Sequence, residues 1–119
     1  MRLTAIVTTS VRPELEEVVS RCQAVARSGA AVRLFFRDES IPSICQPDVA
    51  AELGAQPGID PAALMALQES GDVRLYACSS SVYIWGVTAA DLLPSISGIR
   101  GLIAFLAEDL QDADEILSY

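Results

Sequence analysis

The sequence predicts an α/β fold: a three-layer α/β/α sandwich around a Rossmann-like open parallel sheet of about five strands. Three observations carry this. Short runs rich in β-branched and apolar residues recur along the chain. They alternate with segments whose apolar residues return at helical spacing. Gly or Pro punctuates most of the boundaries between them. Such alternation indicates parallel strands with helices on both faces. The 119 residues, about half of them hydrophobic, fit one domain spanning 1–119, able to build a core without disulfides or metals.

Leu3 to Thr9 is apolar through its middle, as a strand covered on both faces should be. Ser10 to Pro13 turns the chain, with Pro13 suited to a first helical position. From Glu14 to Ser28, Leu15, Val18, Val19, Cys22, Val25 and Ala26 form a helical stripe that Gly29 ends. Ala31 to Phe36 is a second strand, which completes a βαβ unit and implies a right-handed crossover. Arg37 to Ile59, with Pro42, Pro47, Gly54, Pro57 and Gly58, is irregular and holds at most a short helix near Asp48 to Leu53. Asp60-Pro61 starts a helix that Gly71 stops, and Val73 to Ala77 is the third strand. Ser79 to Trp85 reads as a short helix closed by Gly86. Thr88 with Asp91 resembles a capping box. A brief strand at Ser95 to Ser97, a helix from Gly101 to Leu110 and a last strand at Glu115 to Leu117 complete the series.

The charge balance excludes several function classes. Sixteen acidic residues stand against eight basic ones, all arginine, for a net charge of −8. This opposes bulk attraction to nucleic acid or anionic lipid. No run reaches the ~18 apolar residues of a membrane span, and the first residues lead straight into a strand pattern rather than a signal peptide. The expectation is a cytoplasmic protein with no direct nucleic-acid or membrane contact. Without histidine or lysine, Ser-His-Asp and Cys-His pairs, histidine metal sites and Schiff-base chemistry are closed to one chain. Cysteine, carboxylate, arginine and backbone dipoles remain. Three cysteines without Cys-x-x-Cys spacing argue against a structural metal or a disulfide framework, and the site residues imply no cofactor.

Cys78 is the leading catalytic candidate. It ends a strand, where open parallel sheets collect their chemistry, and precedes a helix start, which lowers a thiol's pKa. A small buried residue finishing a strand is the alternative. Cys22 belongs to the core stripe of its helix. Cys45, beside Pro42 and Pro47, is expected to be exposed and is open to three roles: resolving thiol, second sulfur acceptor, or bystander. Arg12 and Arg37 each follow a strand's carboxyl end and are candidates to stabilise a thiolate; solvated loop charge is their other reading. Ser79, Ser80 and Ser81 are expected to cap the helix after Cys78. Tyr83 and Trp85 suit a subunit interface or a pocket wall. Asp109, Asp112, Asp114 and Glu115 lack EF-hand spacing and read as a solvated surface.

The run Gly71 to Val87 is a hydrophobic strand after Gly, then Ala77-Cys78, a nearby serine, and Gly86 at the helix end. It resembles the central motif of the DsrE/DsrF-like sulfur-carrier family. Asp91-Leu92, Gly98, Gly101 to Leu106, Ala113-Asp114 and Ala30 to Phe36 are similar in the same order, so that the resemblance extends over about two thirds of the chain. It implies a single DsrE-like domain with a five-stranded parallel sheet that forms dimers, trimers or hexamers, homomeric or heteromeric. It further implies cytoplasmic handling of sulfane sulfur. The cysteine matching Cys78 would accept sulfur as a persulfide from a donor protein and pass it to an acceptor's thiol, in sulfur oxidation or tRNA thiolation. Some members lack that cysteine, which leaves a second expectation: an assembly or ligand-binding subunit with a structural Cys78. A thiol redox sensor pairing Cys78 with Cys45 is a third.

Overall fold

The computed structural model describes residues 1–55 and 58–119. Its first strand–helix–strand unit sets the direction of the sheet. β1 (Arg2–Val7), α1 (Arg12–Arg27) and β2 (Ala31–Phe36) follow their apolar patterns, and the two strands pair in parallel from Arg2 opposite Ala31 to Val7 opposite Phe36. Pro13 lies in the first turn of α1, where a missing N–H breaks no helical bond. Leu15, Val18, Val19, Cys22 and Ala26 form the buried stripe.

The chain continues through a 3₁₀ turn at Asp38–Ile44, α2 (Pro47–Glu52) and α3 (Pro61–Glu69) to β3 (Val73–Cys78). Next come α4 (Ser79–Trp85), a capped 3₁₀ turn at Ala89–Asp91, and β4 (Gly98–Arg100). α5 (Leu102–Phe105) runs on into a π-helical turn, Leu106–Leu110, before β5 (Glu115–Ser118). All strand pairs are parallel, in the order β4-β3-β2-β1-β5.

Side chains alternate across this sheet, so two cores form. Leu3, Ala5, Val7, Val32, Leu34, Phe36, Val73, Leu75 and Ala77 join the larger one, together with the stripe of α1, Leu64 and Leu67 of α3, and Val82 of α4. Phe35 and Cys78 lie on the opposite face with Phe105, and Ile6, Tyr76 and Leu102 pack around them. The rings of Phe35 and Phe105 stack with centroids 4.4 Å apart. Helices therefore cover both faces of a Rossmann-like sheet, as the sequence predicts.

Strands β1 to β4 advance in one direction, so right-handed crossovers keep their connections on one face. β5 lies beyond β1, and the chain must return across the opposite face to reach it. Residues 102–110 make that return, which is why Phe105 belongs to the smaller core.

Three expectations change. Arg37 to Ile59 holds more than one short helix: the turn at Asp38–Ile44 buries Ile41 and Ile44. Ser40 fixes that turn by sharing its one hydroxyl proton between the carbonyls of Val7 and Arg37, a tertiary contact that no local pattern announces. Pro57, counted among the breakers of this stretch, lies outside the described residues. The strand expected at Ser95 to Ser97 begins instead at Gly98, because Ser97 meets Leu75 through its N–H and its hydroxyl, and the hydroxyl takes a carbonyl's place in the ladder. Finally, the expected helix from Gly101 to Leu110 changes from α to π after Phe105.

Gly86 closes α4 at φ +71°, a conformation that strains any residue with a Cβ even where space is open. Gly98 has similar open space without the left-handed backbone. In urea denaturation, Gly86→Ala is expected to lose about 1 kcal/mol while Gly98→Ala loses nothing measurable. Equal losses would contradict this account of the helix end.

Candidate functional site

The connection after β3 leaves toward the larger core, and the connection after β4 leaves toward the smaller one. Open α/β sheets have their crevice at the carboxyl ends of two strands that part in this way. Cys78 is the last residue of β3 there, in register with Arg100 of β4.

Cys78 also occupies the N-cap of α4, with extended backbone (φ −69°, ψ 125°). A side chain at that place faces the N–H groups of the second and third helical residues. Here these are Ser80 and Ser81. The serines expected to cap α4 are thus its first turn, and Cys78 holds the N-cap position without a side-chain capping hydrogen bond. Ser80 Oγ lies 3.2 Å from Cys78 Sγ. The buried Ser81 hydroxyl accepts the Asp38 N–H at 3.0 Å.

Two effects oppose each other at this thiol. Burial pushes its pKa up; the hydroxyls and backbone N–H groups of Ser80 and Ser81 pull it down, and the result lies below the ordinary thiol value. The other cysteines lack such donors. Burial pushes Cys22 up to about 12 and Cys45 up to about 11. The protein thus holds one thiol suited to ionisation and two suited to packing.

The turn after β2 supports α4 at both ends. Besides the Ser81 contact, Trp85 Nε1 donates to the Asp38 carbonyl at 2.8 Å. Asp38 is held at φ +53°, a left-handed conformation that Asp tolerates better than most residues. A concavity of about 380 Å³ opens beside this joint, lined by Asp38, Glu39, Ser81, Ile84 and Trp85. Trp85 is therefore a pocket wall, whereas Tyr83 projects outward at 85 % exposure. Cys78 itself is only 1 % exposed.

Of the other predicted site residues, Arg12, Ser79 and Cys45 make no hydrogen bond to the Cys78 sulfur, and Arg37 follows β2 one residue past the Phe36–Ala77 pair. Arg12 pairs with Glu16 at 2.8 Å on the exposed start of α1 and faces a groove shared with α3. Arg37 pairs with its neighbour Asp38 at 3.3 Å. Ser79 is exposed, against Gly101, and takes no part in the sulfur's hydrogen bonding. Cys45 is buried rather than exposed, because the 3₁₀ turn folds it inward and its backbone bridges to Leu92. Its thiol donates to the Ile41 carbonyl at 3.3 Å, and it belongs to the larger core, apart from the cluster of Cys78.

An arginine that the sheet sets beside Cys78, and that the sequence reading passed over, is Arg100. Its guanidinium lies 4.9 Å above the Tyr76 ring and bonds both Glu108 and Asp109. Asp109, expected on a solvated surface, is buried as the acceptor of a cationic cluster: Arg33 approaches it at 3.8 Å and Arg2 at 3.9 Å. Asp114 and Glu115 are also engaged, by the Arg2 N–H at 2.7 Å and by Arg21 at 2.6 Å. Strand alternation was the available signal for Arg100, since in-register neighbours share a face.

No group of three His, Cys, Asp or Glu side chains converges as a metal site would require among the described residues. No described helix is long and apolar enough to cross a membrane. The geometry supports nucleophilic thiol chemistry. Replacing Ser80 by Ala removes one donor to the sulfur and should move the pH midpoint of Cys78 alkylation upward, as read by iodoacetamide kinetics. An unmoved midpoint would mean that the serine does not stabilise the thiolate.

No family model and no curated protein matches the chain. Among solved structures it is similar to the protein of unknown function MTH1491 from Methanobacterium thermoautotrophicum, with a TM-score of 0.77 and 12 % sequence identity. The similarity covers 98 % of this chain and 97 % of that one, a likeness of fold across the whole sandwich.

Proposed function

We propose that the protein is a sulfur relay in which Cys78 carries sulfane sulfur as a persulfide and hands it to a partner thiol. The observation that carries this reading is the pairing of position with ionisation. Of the three cysteines, Cys78 alone has its pKa held below the ordinary range, and it does so where the strand ends part. The absence of histidine and lysine supports the same reading, because thiolate exchange needs neither. The resemblance of the Cys78 segment to the DsrE/DsrF-like motif is a further support.

In the loading step the Cys78 thiolate attacks the outer sulfur of a donor persulfide, R–S–SH. The new S–S bond forms at Cys78 as the donor's S–S bond breaks, R–S⁻ leaves, and the proton stays on the transferred sulfur. In the unloading step an acceptor thiolate attacks that sulfur and Cys78 leaves as thiolate. A lowered pKa makes it the better leaving group. The partners are donor and acceptor proteins with thiols, in a cytoplasmic pathway of the sulfur-oxidation or tRNA-thiolation type, and the working form is an oligomer.

The 1 % exposure of Cys78 favours a second reading, an assembly or ligand-binding subunit with a packed cysteine. The serine donors favour the first, since a packing thiol has no use for groups that stabilise its anion. Intact mass spectrometry after incubation with glutathione persulfide separates the two. The relay predicts one added sulfur atom on wild type, removed by dithiothreitol and absent from Cys78→Ser. Equal loading of both proteins would remove the assignment to Cys78, and no loading of either would favour the assembly subunit.

A further inference from the structure

A thiol built to ionise is covered almost completely, and the cover is specific. Cys78 shares its buried cluster with Phe35 and Phe105, and Leu102 packs against it. Phe105 and Leu102 both belong to the return segment, residues 102–110. That segment is four residues of α-helix followed by one π turn. A helix so short has little stability of its own, and single π turns are rare features found frequently at functional sites. What holds it to the sheet is Phe105 together with a set of charges.

Those charges converge on the far end of the segment. Arg100 bonds Glu108 and Asp109, and it also donates to the Ala104 carbonyl at 3.4 Å. Thr4 donates to the Asp109 carbonyl at 3.1 Å, and Arg2 to that of Glu108 at 3.5 Å. Arg33 completes the cluster around the Asp109 carboxylate. The Arg100 and Asp109 side chains are 18 % and 8 % exposed, so removing one leaves the other charged and poorly solvated.

We propose that residues 102–110 form a lid over Cys78 and that Arg100 and Asp109 are its latch, acting as positioning residues that set access to the sulfur. The purpose of such a lid rests on the sulfur-relay reading, but the latch is a statement about access and is tested without sulfur transfer. Opening lifts Phe105 and Leu102 from the cluster that holds the thiol. It also separates Arg100 from its carboxylates while leaving it in register with Cys78, where its charge suits an anionic sulfur.

The test measures alkylation of Cys78 in the full chain by iodoacetamide, located by peptide mass spectrometry, at a pH where the rate no longer rises. Hydrogen exchange and urea midpoints are followed in parallel. Asp109→Asn and Arg100→Gln are expected to speed labelling at least about tenfold, with faster exchange confined to 102–110. Glu108→Gln, at an exposed carboxylate, gives a smaller increase and leaves the global midpoint unchanged, and Arg21→Gln, in the remote pair with Glu115, changes nothing. The proposal is overturned if Glu108→Gln labels at the wild-type rate. It is equally overturned if acceleration in any variant merely follows a loss of global stability.

Discussion

Parallel strands joined by right-handed crossovers carry their connections on one face for as long as the chain advances in one direction. Four strands advance here, and the fifth lies at the other edge. The return over the opposite face is therefore forced, and it parts the ends of β3 and β4. Cys78 and Arg100 sit at that parting as in-register neighbours. The candidate thiol, the helix that follows it and the return segment that shares its cluster thus follow from one topological constraint.

At Cys78 the balance between burial and local dipoles decides the chemistry. Burial alone sends a thiol upward, as Cys22 and Cys45 show within the same molecule. Cys78 is as little exposed as they are, yet its pKa moves the other way because hydrogen bonding from Ser80 and Ser81 favours its anion. The arrangement depends on the cap position, which aims the sulfur at the first turn of α4. It depends equally on Asp38 and Trp85, which fix α4 against the turn after β2.

Much of the fold was legible because local and global signals agree. The β-branched runs, the Asp60 side chain accepting the Ala62 N–H at the start of α3, the Thr88–Asp91 capping box and Gly86 each act within a few residues. The turn at Asp38–Ile44 escaped because its holding bonds reach to Val7 and Trp85. The candidate site's strand-to-helix setting at Cys78 was legible. Its partners were not: choosing Ser80 and Ser81 over Ser79 requires knowing that Cys78 itself is the cap. Arg12 and Arg37 follow strand ends in sequence, and they pair with Glu16 and Asp38. Asp109 looked solvated because its partners Arg2, Arg33 and Arg100 come from three different strands.

The central claim is that this fold lowers the pKa of one thiol, Cys78, and raises that of the other two. The most direct measurement is a titration of cysteine Cβ chemical shifts by NMR in the folded protein. The account predicts that Cys78 titrates below the free-thiol value while Cys22 and Cys45 stay flat into the strongly alkaline range. A Cys78 resonance that titrates at or above the free-thiol value would contradict it.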